Sequence, residues 1–113
     1  MTILKFSSNW NNKLACDRFT TIRRKDMLLH ETVEVLLEEE KIFTAQIIQK
    51  YKIKFSEIND FMASIDVGMS APKLKEILKR LYSKDNIQED SIFFLYVLEV
   101  KDRIPLVLNS DKV

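Results

Sequence analysis

The stretch FTAQIIQKYKIKF, residues 43–55, decides the fold class of this chain. Apolar and polar side chains alternate along it, except at Ile48 and Gln49. Because successive side chains of a strand point to opposite faces of a sheet, the alternation predicts a half-buried strand. Thirteen residues is long for a strand, so we expect a bulge or bend near the irregular pair, as in sheets that curl into barrels. The side chains predicted to point inward are Phe43, Ala45, Ile47, Tyr51, Ile53 and Phe55.

Shorter stretches complete the predicted sheet. Three of them have the short apolar or alternating patterns typical of strands: residues 3–6, 19–24 and 33–37. Residues 92–100 are apolar on both faces, which is typical of a central strand covered on both sides. Residues 103–108 are apolar but contain Pro105, which does not suit a central strand. We expect this tail to add an edge strand or to pack on a partner.

Two helical segments are predicted. The apolar period lengthens to about 3.6 residues over residues 70–82, which is typical of an amphipathic helix that begins after Ser70. The side chains predicted to pack against the sheet are Leu74, Ile77, Leu78 and Leu81. A shorter helical turn that carries Trp10 and Leu14 is predicted after Ser8, which suits its N-cap.

The predicted order is strand, short helix, strand, strand, long strand, helix and strand, which matches neither an alternating βαβ fold nor a helical bundle. We therefore predict an α+β fold in which a curled, mostly antiparallel sheet has helices at its ends. A chain of 113 residues has room for one core, so we expect one domain over residues 1–113. Its 46% apolar and 31% charged residues are typical of a folded chain.

The composition excludes several classes of function. No apolar run reaches the roughly 18–20 residues of a membrane span, and Lys5 and Asn9 interrupt the stretch that a secretory signal would need. One His and one Cys cannot build a zinc site, and a single Gly excludes phosphate-cradling and dinucleotide-binding loops. We therefore expect no membrane association, no metal and no cofactor. The lone Cys16 favours a cytoplasmic location.

One segment carries a concentration of basic side chains. The formal net charge is only +1, so an anion must be bound by a local group of charges. If residues 19–24 form a strand, Thr21 and Arg23 share one face while Ile22 points to the core. A hydroxyl and a guanidinium would then line one cleft, with Arg18 arriving from the preceding turn, which predicts a site for an anion. The alternative is a solvated edge strand.

The spacing of these residues resembles that of the ASCH domain, a family of the PUA-like superfold. The family pattern is Gly, any residue, Lys, any four residues and Arg, and this chain has Cys16, Arg18 and Arg23 at those three positions. Thr21 stands in the place of a family threonine. The stretches FTAQIIQKYKIKFSEI and IFFLYVLEV are similar in order and spacing to the second half of the family, so the resemblance covers roughly residues 3–101.

The resemblance implies a compact pseudo-barrel flanked by short helices and one longer helix, with an RNA-binding cleft between the barrel and its helices. It implies that Asp66, from the segment before the long helix, joins the basic strand in this cleft. The predicted binding residues are Arg18, Thr21, Arg23, Asp66, Lys13 and Arg24. The leading hypothesis is a module that binds RNA or a modified nucleotide.

The resemblance also implies an alternative, because some ASCH domains are amidohydrolases that act on acylated cytidine through a lysine, a threonine and a glutamate. The corresponding residues in this chain would be Arg18, Thr21 and Asp66. Arginine keeps its charge at any biological pH, so Arg18 cannot act as the base. Aspartate is also shorter than glutamate, and acid–base chemistry depends on hydrogen-bond reach. The hydrolase is therefore the second hypothesis, and a protein-interaction domain is the third.

Overall fold

The strand predicted from residues 43–55 lies inside a five-stranded sheet. The computed structural model describes residues 1–103. Its strands are β1 (Thr2–Phe6), β2 (Arg18–Arg23), β3 (Thr32–Leu37), β4 (Glu40–Lys54) and β5 (Ile92–Arg103), in the spatial order β1-β3-β4-β5-β2. β1 pairs with β3 in parallel and the other described pairings are antiparallel, so the sheet is mixed. Apart from Arg103, the tail predicted over residues 103–108 lies outside the described residues.

Helices cover one face of the sheet. The α-helices are α1 (Asp60–Val67) and α2 (Ala71–Leu81), and 3-10 segments occupy Trp10–Ala15, Phe55–Glu57 and Ser83–Asp85. The predicted α+β class is confirmed. β5 is an inner strand, as predicted, and it lies between β4 and β2.

The two edge strands, β1 and β2, face each other across the curled sheet. Arg23 Nη2 donates a hydrogen bond to the carbonyl oxygen of Lys5 at 2.9 Å. The rings of Phe6 and Phe19 meet edge to face, with their centroids 6.1 Å apart. Within the described residues no backbone ladder joins β1 to β2, so the sheet curls without closing into a barrel. This arrangement is compatible with the predicted pseudo-barrel.

The irregular pair in β4 marks a bulge, as predicted. The register with β5 shifts between Ile47 and Gln49, which adds one residue to β4 and switches the face on which its apolar side chains lie. Ile47 therefore belongs to a core inside the curl, whereas Ile53 belongs to a core under the helices. The prediction that Tyr51 points inward was wrong. Its side chain is half exposed and belongs to neither core, because the bulge moves it off the face that carries Ile47.

The sheet separates two hydrophobic cores, so both of its faces are buried over much of its area. The core inside the curl consists of Leu4, Phe6, Leu14, Phe19, Met27, Val33, Val35, Phe43, Ala45, Ile47, Phe94, Tyr96 and Leu98. The core under the helices consists of Ile22, Ile53, Phe55, Ile58, Ala63, Val67, Ala71, Leu74, Leu78, Ile87 and Phe93. Adjacent residues of the central strand, Phe93 and Phe94, point to different cores, which explains why β5 is apolar on both faces.

The predicted long helix is present as α2, and it begins after Ser70 as expected. Leu74 and Leu78 are buried against the sheet, but Leu81 is 64% exposed, so its predicted burial was wrong. The last turn of α2 extends past the covered part of the sheet and borders an open cleft. The first predicted helical turn is a kinked 3-10 segment whose N-cap is Asn9 and not Ser8.

Helix α1 was not predicted, because its exposure pattern is the reverse of an ordinary amphipathic helix. Phe61 and Ile65 are 73% and 44% exposed, whereas Asp66 is buried. The helix is held by its ends. Asn59 Oδ1 accepts a hydrogen bond from Met62 N at 2.9 Å, and Gly68 ends the helix in the left-handed conformation at φ 71°.

The packing of α2 can be tested with two leucines of one helix. Leu78→Ala should lower the free energy of unfolding by about 2–5 kcal/mol, because it removes buried methyl groups and leaves a cavity. Leu81→Ala should change it by less than about 0.5 kcal/mol, because that side chain already contacts solvent. Urea unfolding followed by circular dichroism measures both values. Equal losses in the two variants would contradict the orientation of α2.

Candidate functional site

A cleft of about 460 Å³ lies between the two edge strands and the last turns of α2. Aromatic and aliphatic side chains form most of its wall: Phe6, Trp10, Ile22, Val67, Leu74, Ile77, Leu78, Leu81 and Tyr82. Its polar side chains are Lys5, Ser7, Lys13, Thr21, Arg23, Glu38, Glu39 and Asp66. An apolar wall with a few convergent polar groups is typical of a small-molecule site.

A buried ion pair forms part of the wall of the cleft. Lys13 Nζ lies 2.8 Å from Asp66 Oδ1, and the two side chains are only 7% and 6% exposed. Thr20 Oγ1 donates a second hydrogen bond to the same oxygen at 2.8 Å. No hydrogen bond from the described residues reaches the other carboxylate oxygen of Asp66, which leaves an acceptor for a ligand.

Contacts between distant segments place the two charges together. Lys13 belongs to the 3-10 segment near the start of the chain, and Asp66 belongs to α1. Asn11 Nδ2 donates to the carbonyl oxygen of Ser64 at 3.3 Å. At the end of α1, a Cβ atom on Gly68 would lie 2.9 Å from Asn11 Oδ1, so the glycine permits this close approach. The 3-10 segment and α1 therefore pack directly against each other.

Arg23 presents a guanidinium group beside this ion pair. Its Nε donates to Thr21 Oγ1 and its Nη2 donates to the carbonyl oxygen of Lys5, both at 2.9 Å. The guanidinium carbon lies 4.6 Å from the centroid of the Phe6 ring. Among residues 1–103, no carboxylate lies within ion-pair distance of Arg23. Its orientation is therefore fixed while its charge has no direct partner.

Burial makes two of the basic groups of the cleft, Lys13 and Arg23, less stable in the charged form. Desolvation lowers the pKa of Lys13, with a smaller contribution from the nearby charge of Arg23, while Asp66 opposes the shift. Desolvation also lowers the pKa of Arg23, and Tyr82 and Asp66 oppose that shift. An anion that enters the cleft would favour the charged form of each group.

The rim of the cleft is acidic as well as basic. Glu38 and Glu39 form the turn between β3 and β4, and Lys5 Nζ lies 3.4 Å from Glu39 Oε1. The lining side chains thus include three basic groups and three carboxylates. The cleft has no strong net charge, so recognition within it depends on the positions of individual groups and not on a general attraction for polyanions.

The structure brings four of the six predicted site residues together, namely Lys13, Thr21, Arg23 and Asp66. Arg18 does not line the cleft. It is exposed, and its Nη2 pairs with Glu99 Oε2 at 3.1 Å. Arg24 points away from the cleft, donates from Nη1 to the carbonyl oxygen of Ile92 at 2.9 Å and borders a second cavity.

Three residues at the site are not among the binding residues predicted from the sequence: Thr20, Trp10 and Tyr82. Thr20 shares the face of its strand with Ile22, which is predicted to point to the core, and on that face it meets Asp66. Trp10, on the first predicted helical turn, is only partly buried and lines the cleft. Tyr82 follows α2 and packs edge to face on Phe93, with the ring centroids 5.8 Å apart. The sequence offers one signal that could have indicated Tyr82 as a site residue, namely an aromatic side chain at the end of an amphipathic helix.

Within residues 1–103, no helix is long and apolar enough to cross a membrane, and no cluster of three metal-ligating side chains occurs.

The fold is shared with solved structures, among them two crystal structures. Protein EF3133 from Enterococcus faecalis V583, of family DUF984, matches with a TM-score of 0.74 at 8% identity, over 100% of this chain and 82% of that chain. An ASCH domain from Lactobacillus crispatus JV V101 matches with a TM-score of 0.68 at 12% identity, over 90% of this chain and 80% of that chain. No family model and no curated protein matches the sequence. The chain therefore has an ASCH-like fold, which confirms the resemblance found in the sequence.

The energetic role of the buried ion pair can be tested by removing its charges separately and together. Lys13→Met should lower the free energy of unfolding by about 3–5 kcal/mol, because Asp66 is left buried without a counter-charge. Lys13→Met combined with Asp66→Asn should recover most of this loss, since the second substitution removes the uncompensated charge and keeps an acceptor for Thr20. Urea unfolding of the wild type, Lys13→Met, Asp66→Asn and the double variant gives the four free energies of a double-mutant cycle. A double variant as unstable as Lys13→Met would contradict the pairing.

Proposed function

We propose that the cleft binds a nucleotide or modified nucleotide, either as a free molecule or as one unit of an RNA strand. The observation that carries this proposal is the guanidinium of Arg23, which two hydrogen bonds orient within the cleft while no carboxylate of the described residues pairs with it. Such a group is prepared to bind an anionic or carbonyl oxygen without first breaking an ion pair.

The other walls of the cleft suit the remaining parts of a nucleotide. A volume of about 460 Å³ is in the range of small-molecule sites. Trp10 and Tyr82 offer aromatic surfaces on which a base can stack. The free oxygen of Asp66 can accept a hydrogen bond from an exocyclic amino group of a base. The ASCH-like fold supports the same proposal, since an RNA-binding cleft is what the resemblance implies.

The site is small and nearly neutral, so binding of RNA should depend only weakly on salt. A ligand that reaches the three basic groups of the cleft, Lys5, Lys13 and Arg23, would neutralise about two or three phosphates at most, and the slope of log affinity against log salt follows that number. We also propose a cytoplasmic location, because the exposed free thiol of Cys16 suits a reducing compartment.

Binding can be tested with a matched pair of arginine variants. Arg23→Ala should weaken binding of the best ligand in a panel of ribonucleosides, ribonucleotides and short RNAs by about 1–3 kcal/mol, because it removes a forked donor. Arg18→Ala should leave affinity unchanged, because Arg18 lies outside the cleft and pairs with Glu99. Isothermal titration calorimetry at low salt measures both affinities.

A second arginine variant controls for damage to the fold, since Arg23 also bridges the edge strands. Arg23→Lys keeps the charge but loses the fork, and it should bind more weakly than the wild type while its circular dichroism spectrum is unchanged. If the wild-type protein binds no member of the panel at low salt, the proposal fails and a protein partner becomes the better hypothesis.

One observation favours the hydrolase as a second candidate. The cleft supplies a lysine of its own, Lys13, beside Asp66 and in the same cavity as Thr21. Burial lowers the pKa of Lys13 from its ordinary value of 10.5, and a neutral lysine can accept a proton from a hydroxyl, which Arg18 cannot do. The chemical objection raised by Arg18 therefore does not apply to this cleft.

The hydrolase candidate makes a separate prediction. Wild-type protein should release the acyl group from acylated cytidine, and the rate should rise with pH as Lys13 loses its proton, with a midpoint below 10.5. Thr21→Ala should abolish release while it leaves binding of the substrate largely intact, whereas Arg18→Ala, outside the cleft, should release the acyl group at the wild-type rate. Chromatography of the released nucleoside follows the reaction. No release by the wild-type protein would exclude this candidate without affecting the binding proposal.

A further inference from the structure

A second cavity adjoins the cleft, and two residues line both. This cavity, called here the basic cavity, has a volume of about 490 Å³. Arg23 and Tyr82 border the cleft on one side and the basic cavity on the other. The edge strand β1 also contributes to both, through Lys5 and Phe6 in the cleft and through Ile3 in the basic cavity. The two cavities therefore follow one another along the seam between the edge strands.

The two cavities differ in charge. The basic cavity is lined by Arg23, Arg24 and Lys25 but by only one carboxylate, Asp85. Asp85 Oδ2 lies 3.5 Å from Arg24 Nε, so it offsets part of one of the three positive charges. The cleft, in contrast, has equal numbers of basic and acidic side chains. It is also lined by three aromatic side chains, Phe6, Trp10 and Tyr82, of which only Tyr82 borders the basic cavity. A cleft with a largely apolar wall and balanced charges thus lies beside a cavity with excess positive charge.

The guanidinium between the cavities holds a fixed orientation. Its hydrogen bonds to Thr21 Oγ1 and to the carbonyl oxygen of Lys5 keep it at the boundary. A ligand with a planar apolar part in the cleft and an anionic group beyond Arg23 would satisfy both sides at once. A nucleotide has this arrangement, because its base and its phosphate are separated by the sugar.

We propose that the basic cavity holds the phosphate of the nucleotide whose base occupies the cleft, so that the preferred ligand is phosphorylated and not a free nucleoside. This inference rests on the proposed binding function. The phosphate has two possible sources, the monoester of a free nucleotide or the diester that continues an RNA strand, and both present the same anionic oxygens to Arg24 and Lys25.

Lys25 is the residue with which to test the basic cavity. Within residues 1–103 its side chain forms no hydrogen bond or ion pair, whereas Arg24 supports the fold through Ile92 and Asp85. The main-chain oxygen of Lys25, which accepts a hydrogen bond from the Tyr96 hydroxyl, is retained in any substitution. Lys52 is a matched control, since it is exposed and lines neither cavity.

The experiment compares the four ribonucleosides, their 5′-monophosphates and 3′-monophosphates, and a set of 3′,5′-linked dinucleotides by isothermal titration calorimetry. The wild-type protein should bind a phosphorylated ligand more tightly than the corresponding nucleoside. Lys25→Ala should lower the affinity for the phosphorylated ligand about tenfold, because one charge-assisted contact is lost, and leave the affinity for the nucleoside unchanged. Lys52→Ala should change neither affinity.

The ligands that respond to Lys25→Ala identify the source of the phosphate. A loss confined to the monophosphates supports a free nucleotide, and a larger loss for the dinucleotides supports an RNA strand. If the nucleosides bind but phosphate adds nothing and Lys25→Ala has no effect, the assignment of the basic cavity is overturned while the binding function of the cleft stands. If neither nucleosides nor phosphorylated ligands bind, the binding function itself is overturned.

Discussion

The buried ion pair between Lys13 and Asp66 is the constraint on which the site depends. Two charges removed from water carry a large desolvation cost, which their contact at 2.8 Å and the hydrogen bond from Thr20 must offset. The pair joins the start of the chain to α1 and to β2. Together with the caps of α1 and its contact with Asn11, the pair holds the carboxylate of Asp66 inward, and it places an acceptor and a cation on the wall of the cleft.

The curl of the sheet makes room for that pair and for the cleft. The strand order puts β1 and β2 at opposite edges, and the curl brings these edges together through side chains and not through a backbone ladder. An open seam of this kind leaves polar main-chain groups available, and Arg23 uses one of them, the carbonyl oxygen of Lys5. The cleft and the basic cavity both lie along this seam. A closed barrel would have no room for them, because paired strands would fill the seam.

The low identity to the two similar structures, 8% and 12%, is consistent with how this fold is specified. Alternation in strands and a 3.6-residue period in α2 require only that residues be apolar at the right positions, which many sequences satisfy. The groups of the cleft are of a different kind, because their chemistry depends on individual side chains. The charged pair, the guanidinium and the aromatic wall belong to this chain and carry the functional proposals.

The sequence by itself determined the elements whose signal is periodic: the five strands, the bulge in β4 and the amphipathic helix α2. The basic segment indicated Lys13, Thr21 and Arg23 as candidate binding residues, and the resemblance to ASCH domains added Asp66. Only the tertiary structure decided that Lys13 and Asp66 form a pair and that Arg18 lies outside the cleft. Periodicity records which face of an element is buried, whereas contacts between residues 53 positions apart depend on how elements pack. Helix α1 was missed for the same reason, since its buried carboxylate is stabilised by a partner that no local pattern contains.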